Sequence, residues 1–267
     1  MQTFDFTGKT VFVAGGTSGI NLGIAEAFAK VGAKLAVVSR SQNRIDEAQR
    51  QLRVFGGEVM ALSADVRNVE AISAALKTAH DSLGEIDILV SGAAGNFPSR
   101  ALDMSANGFK AVVDIDLLGT FNVLRHGHAH LHKPGAVVVN ISAPQALLPM
   151  PLQSHVCAAK AGVDMLTRVL AIEWGRDGIR VNSVIPGPIE DTEGIKRFAP
   201  TPEAVQTFVR SVPLGRMGTK QDVANLVLFL ASPWAAYISH SRAFRSAGRQ
   251  LVLIDASGHG ESSKPHD

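Results

Sequence analysis

Residues 14–25 read AGGTSGINLGIA. They follow a short β-rich run, Thr10–Ala14, and precede a stretch where Ile24, Phe28 and Val31 recur at helical spacing. Gly15 and Gly19 would let the backbone turn tightly and approach a pyrophosphate, with Thr17, Ser18 and Ile20 completing the turn. The N–H groups of the helix that follows would face the anion, aided by the helix dipole. An ordinary glycine turn fits the same spacing. The end of the second strand is the next place to look for chemistry. An acid there would bind ribose hydroxyls and select NAD. This chain has Ser39 and Arg40 instead, and a hydroxyl with a guanidinium suits a 2′-phosphate, which points to NADPH. A solvated surface Arg is the alternative.

The elements that must position these groups alternate. Strands are expected at Thr10–Ala14, Lys34–Ser39, Val59–Ser63, Ile86–Ser91, Ala136–Ser142 and Ile179–Ile185, the last stopped by Pro186. Helices are expected from Ile24 to Gly32, Ile45–Phe55, Val69–Leu83, Phe109–His132, Ser154–Arg176 and Asp222–Ala231. The strands are short and apolar throughout, as when both sheet faces are covered. Alternation with helices implies right-handed βαβ units. The expected fold is α/β, a single Rossmann-type doubly wound domain with a central, mostly parallel sheet. The stretch from Pro186 to Pro213 is long for a connection and is a candidate substrate lid.

The totals set outer bounds. The chain has 267 residues, 46% hydrophobic and 19% charged, which suits a folded domain. A net charge of +2 is too small to imply nucleic acid as the main partner. No stretch approaches the roughly 20 apolar residues of a membrane helix. Cys157 is the single cysteine, so no intrachain disulfide forms, and a cytoplasmic location is expected. His126, His128, His130 and His132 alternate along one expected helix. Two His four apart can grip zinc, but no third ligand is evident, and no metal site is assigned.

The glycine segment resembles the TGxxxGIG signature of the short-chain dehydrogenase/reductase family, with Ala14 for the usual Thr and Asn21 for the third Gly. Asn tolerates unusual backbone angles, so the turn is expected to survive. Asp65-Val66 resembles the family's adenine-holding pair. Ser91-Gly-Ala-Ala-Gly95, with Ala93, Ala94 and Gly95, resembles its NAG-type segment. Pro186-Gly187-Pro188-Ile189 resembles the PG motif beside the nicotinamide. These matches run in order over roughly the first 235 residues.

The family's YxxxK pair is incomplete. Its Lys is matched by Lys160, but Val156 stands at the Tyr position, and the only tyrosine is Tyr237. Asp116 replaces the family's Asn in the helix after the fourth strand. A carboxylate near Lys160 would form an ion pair and polarise water. Asp for Asn with Tyr missing resembles the peroxisomal-type 2,4-dienoyl-CoA reductase branch. So do Ala93-Ala-Gly-Asn-Phe97, Asp114-Ile-Asp116, Gly119-Thr-Phe-Asn122, Leu152-Gln153 with His155, and Leu230-Ala-Ser-Pro233.

The resemblance implies NADPH-dependent conjugate reduction of an acyl-CoA-type substrate, giving a 3-enoyl-CoA in unsaturated fatty-acid oxidation, by a homotetramer. It assigns Lys160 to the nicotinamide ribose and proton network, Asp116 to anchoring Lys160 and a water, and Ser142 to the thioester oxygen. Asp116 as a purely structural partner, and Ser142 as a mere strand end, remain open. So do another short-chain reductase of enoyl thioesters or carbonyls and a non-catalytic NADPH-binding protein. The family domain is placed at residues 1–239. Residues 240–267 form an atypical C-terminal segment that could hold the last strand, at Leu251–Ile254. Its end, IDASGHGESSKPHD, resembles a stretch of α/β-hydrolases, but the chain has no GxSxG elbow.

Overall fold

The computed structural model describes residues 4–239, together with the backbone of 242–246 and 249–253. Eight strands form one sheet in the order β3-β2-β1-β4-β5-β6-β7-β8. They are β1 Thr10–Ala14, β2 Lys34–Ser39, β3 Val59–Ser63, β4 Ile86–Ser91, β5 Val137–Ile141, β6 Arg180–Pro186, β7 Arg242–Ser246 and β8 Arg249–Leu253. Neighbours from β3 through β7 are parallel, and β8 is antiparallel to β7. The helices are α1 Gly19–Lys30, α2 Gln42–Arg53, α3 Val69–Leu83, α4 Ala106–Val113, α5 Gly119–Gly127, α6 Ser154–Trp174, α7 Glu193–Phe198, α8 Pro202–Ser211 and α9 Lys220–Ala231.

Strand alternation divides the core into two layers. In β1, Val11 and Val13 face one way and join Ile24, Phe28, Val223 and Val227 of α1 and α9. Phe12 and Ala14 face the other way and join Ile72, Leu76 and Leu124 of α3 and α5. Every residue of β1 is buried, which explains its unbroken apolar run. Phe12→Ala would leave a void in the second layer costing about 3–5 kcal/mol. The strand order reverses between β1 and β4, so the crevice at their carboxyl ends is where a dinucleotide binds in this architecture.

Three expectations change. The stretch 109–132 is not one helix. It runs as α4, a π turn at Asp114–Leu118, α5, and a 3₁₀ turn at His128–His130. The histidines therefore do not line up on one helix face. His128 pairs with Asp177 at 2.9 Å and His132 with Glu85 at 2.7 Å. Pro186 does not stop β6 but ends it from within, at the sheet margin where a missing N–H is tolerated. The segment after Ser239 contributes two strands instead of one, with β7 preceding the stretch expected to hold the last strand. The hydrolase-like tail, from Ile254 onward, lies outside the described residues.

Candidate active site

The turn after β1 is held by close approach. Gly15 and Gly19 have φ of +77° and +57°, the left-handed region that favours glycine. A Cβ on Gly15 would also lie 2.9 Å from the Ala93 backbone, so the turn sits against the loop that follows β4. Ser18 is the N-cap of α1, yet its side chain makes no capping bond, and no acid occupies the first turn. The helix N–H groups are left for an anion, and these residues fit a pyrophosphate. Asn21 does not occupy an unusual backbone position. It lies within α1, and its Nδ2 donates to the Gly92 carbonyl at 2.7 Å. The residue that replaces the third glycine therefore bolts the phosphate turn to the loop after β4.

At the end of β2, the Arg40 side chain is 60% exposed and only 4.0 Å from Asp65, too loose to hold it. Its guanidinium is available to a 2′-phosphate. Asp65 is gripped instead by Arg67, with Nη2 at 2.6 Å, which holds the Asp65 carboxyl below its usual range. Val66 is fixed by Asn122, whose Nδ2 donates to its carbonyl at 2.9 Å. Ser39 closes β2 beside Arg40. Gly187 and Ile189 follow Pro186 at the end of β6, with Ile189 buried beneath Gly218.

The centre of the crevice is built by the π turn. Such turns insert one extra residue and often re-aim a side chain at a functional site. Here Asp116 is 1% exposed and its carboxylate points inward. Its Oδ1 accepts from the Gly95 N–H at 2.7 Å, and its Oδ2 lies 3.4 Å from Lys160 Nζ. Lys160, also buried, donates to the Ile141 carbonyl at 3.0 Å. Thr120 Oγ1 donates to the Asp116 carbonyl at 2.7 Å, bracing the turn. Four segments distant in sequence thus meet: the loop after β4, the π turn, the end of β5, and α6.

No phenol enters this centre. Val156 is buried, and Tyr237 is 81% exposed beyond α9. Ser142 is buried with its N–H on the Val184 carbonyl at 2.9 Å, and its hydroxyl lies beside Asp164. His155 is fully buried against the Phe97 ring at 4.6 Å, and burial lowers its pKa.

A polar network missed in the sequence closes one wall. Gln153 Oε1 accepts from Asn96 at 3.0 Å and from Gln145 at 2.8 Å. Leu152 before it has φ of +66°, an uncommon strained backbone for a branched side chain. The Pro186–Pro213 connection carries α7 and α8, and Arg197 of α7 donates to the Asn96 carbonyl. That bond ties the connection to the same loop that touches Asp116. Nothing in the periodicity marks Asn96 or Gln145 for this role. Among the described residues, no group of three His, Cys, Asp or Glu side chains could hold a metal ion.

A family profile described as enoyl-(acyl carrier protein) reductase matches residues 14–257. A Rattus norvegicus protein described as peroxisomal 2,4-dienoyl-CoA reductase, (3E)-enoyl-CoA-producing, is 47% identical over 86% of this chain and 80% of its own. An Arabidopsis thaliana protein of the same description is 39% identical, covering 87% of this chain and 81% of its own. The crystal structure of a short chain dehydrogenase from Bacillus anthracis superposes with a TM-score of 0.82 at 36% identity, covering 91% of this chain and 97% of that one.

Proposed function

The chain belongs to the short-chain dehydrogenase/reductase family of oxidoreductases, and on that premise we propose that it reduces a 2,4-dienoyl-CoA to a 3-enoyl-CoA with NADPH, in unsaturated fatty-acid oxidation. The fold of this family implies a nicotinamide dinucleotide, and the exposed Arg40 favours the phosphorylated form. The observation that carries the reading is the buried Asp116–Lys160 pair beside Val156, a site with an ion pair where a carbonyl reductase needs a phenol.

The bound dinucleotide would supply hydride to the far end of the dienoyl group, and the charge would spread to the thioester oxygen. What the chain must then provide is stabilisation of that oxygen and a proton for carbon. Lys160 would hold the nicotinamide ribose and feed protons to a site water. Asp116 holds Lys160 and the Gly95 N–H in place and polarises that water. The Ser142 hydroxyl, just beyond β5, would donate to the thioester oxygen.

The homotetramer is supported by apolar side chains left exposed on adjoining helices. Leu118 ends the π turn, Phe121 lies in the first turn of α5, and Met165, Val169 and Ile172 form an i, i+4, i+7 stripe on α6. Light scattering of a Met165→Glu, Ile172→Glu double variant should report a smaller species than the parent. An unchanged mass would remove this face as the contact. The single cysteine supports a reducing compartment such as the cytoplasm, which a fluorescent fusion would check.

The primary test mixes purified protein, NADPH and a medium-chain 2,4-dienoyl-CoA and follows loss of reduced-nicotinamide absorbance. Turnover that collapses in correctly folded Lys160→Ala supports the assignment. Tight NADPH binding without turnover on the dienoyl thioester would sink it.

A further inference from the structure

Gln153 precedes α6 as its N-cap, yet its side chain makes no bond to its own helix. The residue is buried, so its amide must find partners elsewhere. Its Oε1 accepts from Asn96 Nδ2 at 3.0 Å and from Gln145 Nε2 at 2.8 Å. Asn96 follows Gly95, whose N–H donates to Asp116 Oδ1 at 2.7 Å. Lys160, 3.4 Å from Asp116 Oδ2, lies about two turns beyond Gln153 on the same face of α6. The contacts therefore close a ring: Gln153 to Asn96, Gly95 to Asp116, Asp116 to Lys160, and back along α6 to Gln153. Both members of the ion pair are thus referenced to one helix. Backbone also brings the loop to that helix, since the Ser99 N–H donates to the Leu152 carbonyl at 2.9 Å. This bond falls on the residue with φ of +66°, a strained conformation that persists where its surroundings fix it.

We propose that Gln153 is a positioning residue that sets the separation of Asp116 from Lys160, acting through Asn96 and the Gly95 N–H. The proposal rests on Asp116 and Lys160 serving the dienoyl reduction. Gln153 and Lys160 are joined by continuous helical backbone, so they move together. Asp116 sits on the π turn, and the Gly95 N–H is what holds its Oδ1. Gly95 has no side chain, so the residues on either side decide where that N–H points. Ala94 is exposed and carries no polar group, whereas Asn96 is tied to Gln153. Removing the acceptor on residue 153 would free the Asn96 amide and, with it, the Gly95 N–H. A misplacement of about 1 Å at a reacting pair can cost about a hundredfold in rate. The chemistry asked of residue 153 is specific: one oxygen site that accepts two N–H bonds. Glutamate supplies it, and leucine, of similar size, does not. Asn96 must donate, so aspartate cannot replace it.

The test compares the parent with Gln153→Leu, Gln153→Glu and Asn96→Asp in the full-length protein. Hydrogen–deuterium exchange read by mass spectrometry should speed up over residues 92–98 in Gln153→Leu and Asn96→Asp. It should keep the parent's rate in Gln153→Glu, with exchange in β1 unchanged throughout as the sign of an intact fold. In turnover with NADPH and a medium-chain 2,4-dienoyl-CoA, Gln153→Leu and Asn96→Asp should lose at least about tenfold in kcat and keep KM within about threefold. Gln153→Glu should return kcat to within about threefold of the parent. A folded Gln153→Leu with the parent's kcat would overturn the proposal. So would a Gln153→Glu as impaired as Gln153→Leu, because the acceptor would then be irrelevant. If Gln153→Leu fails to fold, Gln153→Glu and Asn96→Asp still decide: opposite responses sustain the proposal and equal ones overturn it. A parent that turns over no dienoyl-CoA, with the exchange pattern as expected, would leave the placement of Asp116 standing and sink the substrate reading instead.

Discussion

Asp116 is the most informative residue to change, because its two carboxylate oxygens do different things. Asp116→Ala removes one member of a buried ion pair and leaves the charge of Lys160 uncompensated. Such a loss costs about 3–5 kcal/mol. Lys160 keeps its bond to the Ile141 carbonyl at 3.0 Å, so the lower figure, about 3 kcal/mol, applies. The Gly95 N–H, now at 2.7 Å from Asp116 Oδ1, would lose its acceptor and add about 1–2 kcal/mol. Asp116→Asn keeps that acceptor and should lose about 3 kcal/mol, against about 4–5 for the alanine. Adding Lys160→Met to Asp116→Ala removes the stranded charge and should recover stability to within about 1–2 kcal/mol of the parent. Urea unfolding at one fixed protein concentration would measure all four, since self-association would shift the midpoint. NADPH-dependent turnover should be lost in each variant. If the alanine variant lies within about 1 kcal/mol of the parent, or the double variant is no better than the single, the two groups do not form the buried, mutually compensating pair described.

Three further outcomes follow from the geometry. Arg40→Ala should weaken NADPH about tenfold and leave NADH unchanged by isothermal titration, the value of one charge-assisted bond at an exposed site; equal loss for both would remove Arg40 from the 2′-phosphate. Asn21→Ala should cost about 1–2 kcal/mol in thermal or urea unfolding by stranding the Gly92 carbonyl, and no loss would show that the turn does not depend on that bond. The Asp164 carboxyl has a folded-state pKa above its unfolded one, so the native state binds the extra proton. Its contribution is complete below the unfolded value of about 3.8 and is lost as pH rises through the folded value. Asp164→Asn should therefore be more stable than the parent at neutral pH, and a parent-like pH–stability curve would refute this sign.

Much of the frame was legible because local patterns decided it. The strand at Thr10–Ala14 and the helix at Val69–Leu83 have the same bounds in sequence and structure. Buried parallel strands read as apolar runs, and an amphipathic helix reads by its period. The stretch 109–132 misled because a π turn leaves no mark on the apolar period at this length, and its extra residue is bound up with Asp116 turning inward. Asn21 misled in a different way: a backbone rule was applied where a side-chain bond to Gly92 decides. Asp164 was invisible, since an acid on a helix with Arg168 four residues on reads as a solvated pair.

By itself the sequence determined the layer architecture, the order of motifs, the positive side chain at the end of β2 and the replacement of a phenol by Val156. These depend on residue type and on spacing along the chain. Tertiary structure alone decided that Gly95, Asp116, Ile141 and Lys160 meet within hydrogen-bonding or ion-pairing distance. It also decided that Arg197 reaches back to Asn96, 101 residues away, and that Asp164 is buried beside the Ser142 and Ser183 hydroxyls. Contacts between distant segments depend on how helices and strands pack, and side-chain burial sets whether a charge is solvated or held, which no local pattern encodes.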